Sequence, residues 1–150
     1  MVIEYDSKIG AAYTGKGICV AVLDSGVQNH PDLHGRIVAF RDFTENKRNR
    51  RFCYDDNGHG THVCGILAGS GIASREKYRG IAPECTIVSG KILDEKGGGS
   101  LKNLLKGLQW IDEIRKKLPI RILNISVEIG TDAKLDKEEL KLMYGYFERL

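Results

Sequence analysis

Long apolar runs are missing from this sequence, and with them several classes of protein. No stretch of its 150 residues is long and apolar enough to span a bilayer, and no signal-peptide segment follows Met1. As written, the chain is expected in the cytoplasm with no membrane partner; a different start would reopen secretion. Charge of one sign is missing too: 23 basic against 20 acidic residues leave +3, too little to point to a nucleic-acid partner. The one basic cluster, Lys47 to Arg51, reads as a solvated loop. Cys19, Cys53, Cys64 and Cys85 form no C-x-x-C pair in a chain that is neither small nor cysteine-dense. Reduced thiols are therefore expected, and a disulfide framework is not. Repeats and low-complexity segments are also absent. What is present, 41% apolar and 29% charged residues, is the composition of one globular domain or part of one.

Apolar patterning and glycine punctuation divide the chain into alternating elements. Ser7–Thr14 is predicted as a short amphipathic helix, followed by a turn at Gly15-Lys16-Gly17. Ile18–Leu23 is a near-continuous apolar run, as expected of a parallel strand covered on both faces. Ile37–Phe40 makes a short second strand, and residues 41–58 are polar and irregular. A helix opens near His59, residues 69–80 form a polar connection, and Thr86–Leu93 is a third strand. After the Gly-rich loop 94–99, Ser100 caps a helix with Leu101, Leu104, Leu105, Leu108, Ile111 and Ile114 at helical spacing. Pro119 closes that helix. In the fourth strand, Arg121–Ser126, the residues Ile122, Leu123 and Ile125 suit burial inside a sheet. Asp136 with Glu139 opens a last helix through Leu150 as a capping-box variant. Strands alternating with helices predict an α/β fold built on a doubly wound parallel sheet.

Sites in such sheets form beyond the carboxyl ends of strands, which is where Asp24 falls. The second chemical signal is Asp55 to Ser70, a polar, Gly-rich stretch that turns small and apolar after His59. That change places His59 at the first turn of a buried helix. A general base works as a neutral imidazole oriented by another group, and the strand-end carboxylate of Asp24 offers that orientation.

Val20-Ala21-Val22-Leu23-Asp24-Ser25-Gly26 and His59-Gly60-Thr61-His62-Val63 resemble the aspartate and histidine signatures of subtilisin-like (S8 family) serine peptidases. Subtilisin is itself the reference case for the order Asp, His, Ser along a chain. Tyr78 to Pro83, Val88 to Asp94, Gly97-Gly98-Gly99-Ser100 and Leu123 to Ser126 extend the likeness. The resemblance implies a subtilisin-like α/β fold, with residues 1–150 corresponding to about the first half of the catalytic domain. It implies a serine endopeptidase acting through an acyl-enzyme, with Asp24 orienting His59. A polypeptide substrate would lie between Gly97, Gly98 and Gly99 on one side and Ser126 and Val127 on the other. No Gly-Thr-Ser-type segment appears, and none of the seven serines sits in a nucleophile motif. The nucleophile and the oxyanion side chain are therefore expected in a C-terminal half that completes the domain. Glu128 departs from the family's common glycine, which bears on specificity.

Other readings stay open beside this one. A zinc site from Asp24, His59 and His62 lacks the i, i+4 spacing and the intervening glutamate, and His62 is expected to be a packed structural histidine. The Gly97–Gly99 loop lacks both phosphate-loop signatures. One aspartate, Asp32, is too few for calcium, so no metal and no cofactor is expected. Cys64 is expected to be packing. A non-catalytic peptide-binding module and a metal-dependent hydrolase using the strand-end Asp24 are the two rival functions.

Overall fold

The computed structural model describes residues 13–44, 52–127 and 136–150. The elements run β1 (Cys19–Asp24), β2 (Ile37–Asp42), α1 (His59–Ala68), β3 (Thr86–Lys91), α2 (Leu101–Ile114), β4 (Ile120–Ile125) and α3 (Lys137–Arg149). The strands are parallel in the order β2-β3-β1-β4. β1 is buried along its whole length. Its Cys19, Ala21 and Leu23 pack with Leu104, Leu108 and Ile111 of α2 and Met143 of α3. Its Val20 and Val22 pack with Cys64 and Ala68 of α1 on the opposite face. Two-sided cover explains why β1 reads as an unbroken apolar run and does not alternate.

The strands and helices expected from residue 18 onward are present, with differences that have local causes. Residues 7–12 of the first predicted helix lie outside the described residues, as do the basic cluster 47–51 and Glu128; Tyr13 and Thr14 are irregular. α2 is capped by Ser100 Oγ, which accepts from Asn103 N–H at 3.2 Å. Its regular part stops at Ile114, short of Pro119, and residues 115–118 follow as turns, with Lys117 N–H and Leu118 N–H sharing the Ile114 carbonyl. Proline also disfavours helical geometry in the residue before it. Asp136 caps α3 through Glu138 N–H at 3.4 Å, one residue short of the Glu139 that a capping box would use. β4 is an edge of the four described strands with Ile122 52% exposed, so its apolar residues are only half covered. All four cysteines are free. No described helix is long and apolar enough to cross a membrane.

Candidate active site

β1 delivers Asp24 to the carboxyl end of the sheet, fully buried between β3 and β4. Its carbonyl accepts from Ile92 N–H at 2.8 Å and Leu93 N–H at 3.2 Å, which fixes the strand end. Its carboxylate accepts from Ser25 N–H at 2.6 Å. α1 opens at His59, and the ring Nδ1 lies 2.8 Å from Asp24 Oδ1 and 3.0 Å from Oδ2. A carboxylate can only accept, so Nδ1–H is the donor and Nε2 of the neutral ring keeps its lone pair. The His59 side chain is 49% exposed while the Asp24 side chain is 0% exposed, so the pair joins a dry anchor to an accessible ring.

The approach of α1 to β1 depends on missing side chains. A Cβ on Gly60 would stand 2.2 Å from the Gly26 carbonyl oxygen and 3.2 Å from Asp24 Cβ. Gly58 precedes the helix at φ 99° without a side-chain cap; Asn57 Oδ1 accepts from His59 N–H at 3.2 Å. Ser25 Oγ accepts from Gly60 N–H and donates to Asp55, both at 2.9 Å. Ser25 is therefore occupied as a strut between β1 and α1.

Asp55 is the hub of the loop ahead of α1. Its carboxylate accepts from Ser25 Oγ–H, Asn57 N–H, Gly58 N–H, Thr61 N–H and Thr61 Oγ1–H at 2.6–3.1 Å. Burial pushes its carboxyl up, but the bonds from Thr61, Gly58 and Ser25 together outweigh this and hold it below the ordinary range. A depressed carboxyl stabilises the fold above the unfolded value of about 3.9, and that contribution fades as pH falls through the lower folded value. Asp55→Asn should cost about 1.5 kcal/mol at pH 7, the low end for bonds to a charged group because the site is partly exposed. The gap to the unsubstituted chain should close below about pH 4 in urea melts. A gap that holds at low pH would contradict the assignment.

The remaining sequence-stated residues divide. The loop after β3 is tied by Asp94, whose Oδ1 accepts from Lys96 N–H at 2.9 Å and Gly98 N–H at 2.8 Å. Gly97 sits at φ 79° and Gly99 bridges back to Leu93, so Gly97, Gly98 and Gly99 form an exposed turn. Asn57 Nδ2 reaches the Glu95 carbonyl at 3.2 Å, linking that turn to the start of α1. Ser126 and Val127 continue β4 on the other side of β1, Ser126 exposed and accepting from Asn124 Nδ2 at 2.9 Å. The strand order thus puts the two segments on opposite sides of the Asp24 end.

His62 is not the packed histidine expected from the sequence: it is exposed and faces a hollow with Asp32, Ile66 and Tyr78. Position i+3 from His59 turns it off the sheet-facing side of α1, which Gly60, Cys64 and Ala68 occupy. Among the described residues no group of three or more His, Cys, Asp or Glu side chains is placed to hold a metal. Asp32 Oδ1 accepts from Ala73 N–H at 2.8 Å and Ser70 Oγ–H at 3.2 Å, pinning the 69–80 connection. Cys64 is fully buried in the core; burial, reinforced by the Asp24 and Asp55 charges, pushes its thiol up to about 12.

The Subtilase family model matches residues 15–141. Serine protease AprX of Bacillus subtilis (strain 168) is 42% identical over 132 residues, covering 87% of this chain and 29% of AprX. Minor extracellular protease Epr of the same organism is 38% identical over 138 residues, 89% of this chain and 19% of Epr. Among solved structures, a cold-adapted subtilisin-like serine proteinase superposes with a TM-score of 0.70 at 27% identity, over 91% of this chain and 45% of that one. Sphericase gives 0.72 at 27% identity, over 89% and 44%. The chain thus spans less than half the length of each of these relatives. With a parallel α/β sheet of subtilisin type and a family match across most of its length, this chain belongs to the Subtilase (peptidase S8) family.

Proposed function

We propose that this chain supplies the aspartate–histidine couple of a serine endopeptidase. The observation that carries the reading is the bond from His59 Nδ1 to the buried Asp24 carboxylate at 2.8 Å. In this mechanism Asp24 holds the Nδ1–H tautomer, and Nε2 takes the hydroxyl proton of a serine as its oxygen attacks the peptide carbonyl. Asp24 then stabilises the imidazolium until Nε2 passes the proton to the leaving amine. A peptide lies extended between Gly97–Gly99 and Ser126–Val127, where glycine leaves the backbone open to strand-like pairing. The serine and the oxyanion donor come from a further polypeptide segment that completes the domain, since Ser25 is already engaged by Gly60 and Asp55.

The test is to fuse residues 1–150 to the part of AprX that follows its matched segment. The fused protein should hydrolyse a chromogenic peptide and take up one equivalent of a fluorophosphonate probe. The chain alone should take up none, because it holds no activated serine. A folded fusion that binds peptide but neither cleaves it nor reacts would favour a peptide-binding module. Labelling of a serine in the isolated chain would contradict the division of the site.

A further inference from the structure

Lys91 is a buried cation for which the peptidase reading has no use. Its side chain is 0% exposed at the end of β3, in register beside Asp24. An ammonium has three protons and cannot be buried cheaply without an acceptor for each. Nζ has three: the Ser25 carbonyl at 2.7 Å, Asp56 Oδ1 at 2.6 Å and the Leu93 carbonyl at 2.6 Å. The Tyr54 ring lies 5.5 Å away on the same loop as Asp56.

These acceptors belong to three segments that meet at the candidate site. Ser25 follows Asp24, Asp56 lies three residues before His59, and Leu93 leads into the 94–99 turn. Ser25 is thereby held at every polar group: N–H on Asp24 Oδ1, Oγ between Gly60 and Asp55, and carbonyl on Lys91. Freeing that carbonyl releases rotation about the Ser25 Cα–C bond and loosens the residue whose own N–H shares Asp24 Oδ1 with His59. We infer that Lys91 is a positioning residue for the Asp24–His59 couple, clamping the backbone after the aspartate to the loop before the histidine. The inference rests on reading Asp24 and His59 as an acid–base couple.

Two-bond proton–nitrogen NMR spectra of the His59 ring in the full chain test both statements separately. The spectra are recorded at about pH 8, above the ordinary histidine range. The unsubstituted chain should show a protonated Nδ1 and a bare Nε2. Asp24→Asn should move both nitrogen shifts away from that pattern, towards the tautomer with the proton on Nε2. Lys91→Met alone leaves the Asp56 charge buried and can unfold the chain, so Lys91→Met with Asp56→Asn removes both charges together. That double variant should keep a dispersed amide spectrum while its His59 shifts move the same way as in Asp24→Asn. Unchanged ring shifts in a folded double variant would overturn the inference while leaving the couple intact. Ring shifts that ignore Asp24→Asn would instead remove the couple itself. Loss of the folded spectrum in the double variant would also overturn the positioning role, since the cation would then be holding the fold as a whole.

Discussion

In the fused protein, Asp24→Asn is expected to lower kcat by about 10⁴ while KM changes little. The amide keeps the size of the carboxylate in a pocket where Asp24 is fully buried, so the fold around it should stand. Its NH2 group donates, however, and an amide facing Nδ1 selects the ring tautomer with the proton on Nε2. That nitrogen then cannot accept from a serine. Subtilisin is the reference for these magnitudes, with losses of about 3 × 10⁴ for its aspartate and about 2 × 10⁶ for its histidine. His59→Ala should therefore cost about a hundredfold more than Asp24→Asn. Steady-state rates on the chromogenic peptide read both. A loss of less than about tenfold for Asp24→Asn would mean that the tautomer is held by something else.

Gly60→Ala is expected to lower the rate about 10²-fold while leaving both ionisable groups in the chain. The added Cβ would meet the Gly26 backbone, with its oxygen at 2.2 Å and its nitrogen at 3.1 Å, and Asp24 Cβ at 3.2 Å. Gly26 cannot retreat, because it bridges to Asp55 at φ 120° and its own missing Cβ would fall 2.2 Å from the Tyr54 oxygen. The start of α1 has to move instead, and with it His59. Overpacking of this kind costs about 1–3 kcal/mol. Displacement of a reacting group by about 1 Å costs about 10²-fold in rate. Gly65→Ala on the same helix is the control: nothing lies within 4 Å of its Cβ, so the helix should gain about 0.5–1 kcal/mol. Thermal melts and peptide hydrolysis in the fused protein separate the two; equal behaviour would contradict the close approach of α1 to β1.

How much of this was legible in the sequence depended on whether the signal was local. Asp24 closing an apolar strand and His59 opening a small-residue helix are each visible within about ten residues, and the α/β order follows from such runs. The end of α2 is hidden from the sequence because the chain passes from regular helix into turns on the Ile114 carbonyl, five residues before Pro119. His62 was misread because its spacing from His59 says that they share a helix face but not which face meets the sheet. Lys91 reaches Ser25 and Asp56, and Asp55 reaches Ser25, across 30 or more residues, and no spacing rule reaches that far. A lysine between the strand residues Ile87 and Val88 and the apolar Ile92 and Leu93 was the one available hint, since a charge at such a position has to be matched by buried acceptors.

The most direct measurement of the central claim is chemical capture of the histidine itself. A peptidyl chloromethyl ketone bound in the fused protein adds to the serine and then alkylates the nitrogen that faces it. Mass spectrometry of the digested adduct should place a single alkylation on His59, abolished by His59→Ala and sharply slowed by Asp24→Asn. Alkylation at His30, His34 or His62, or at no histidine in a protein that still cleaves peptide, would contradict the account.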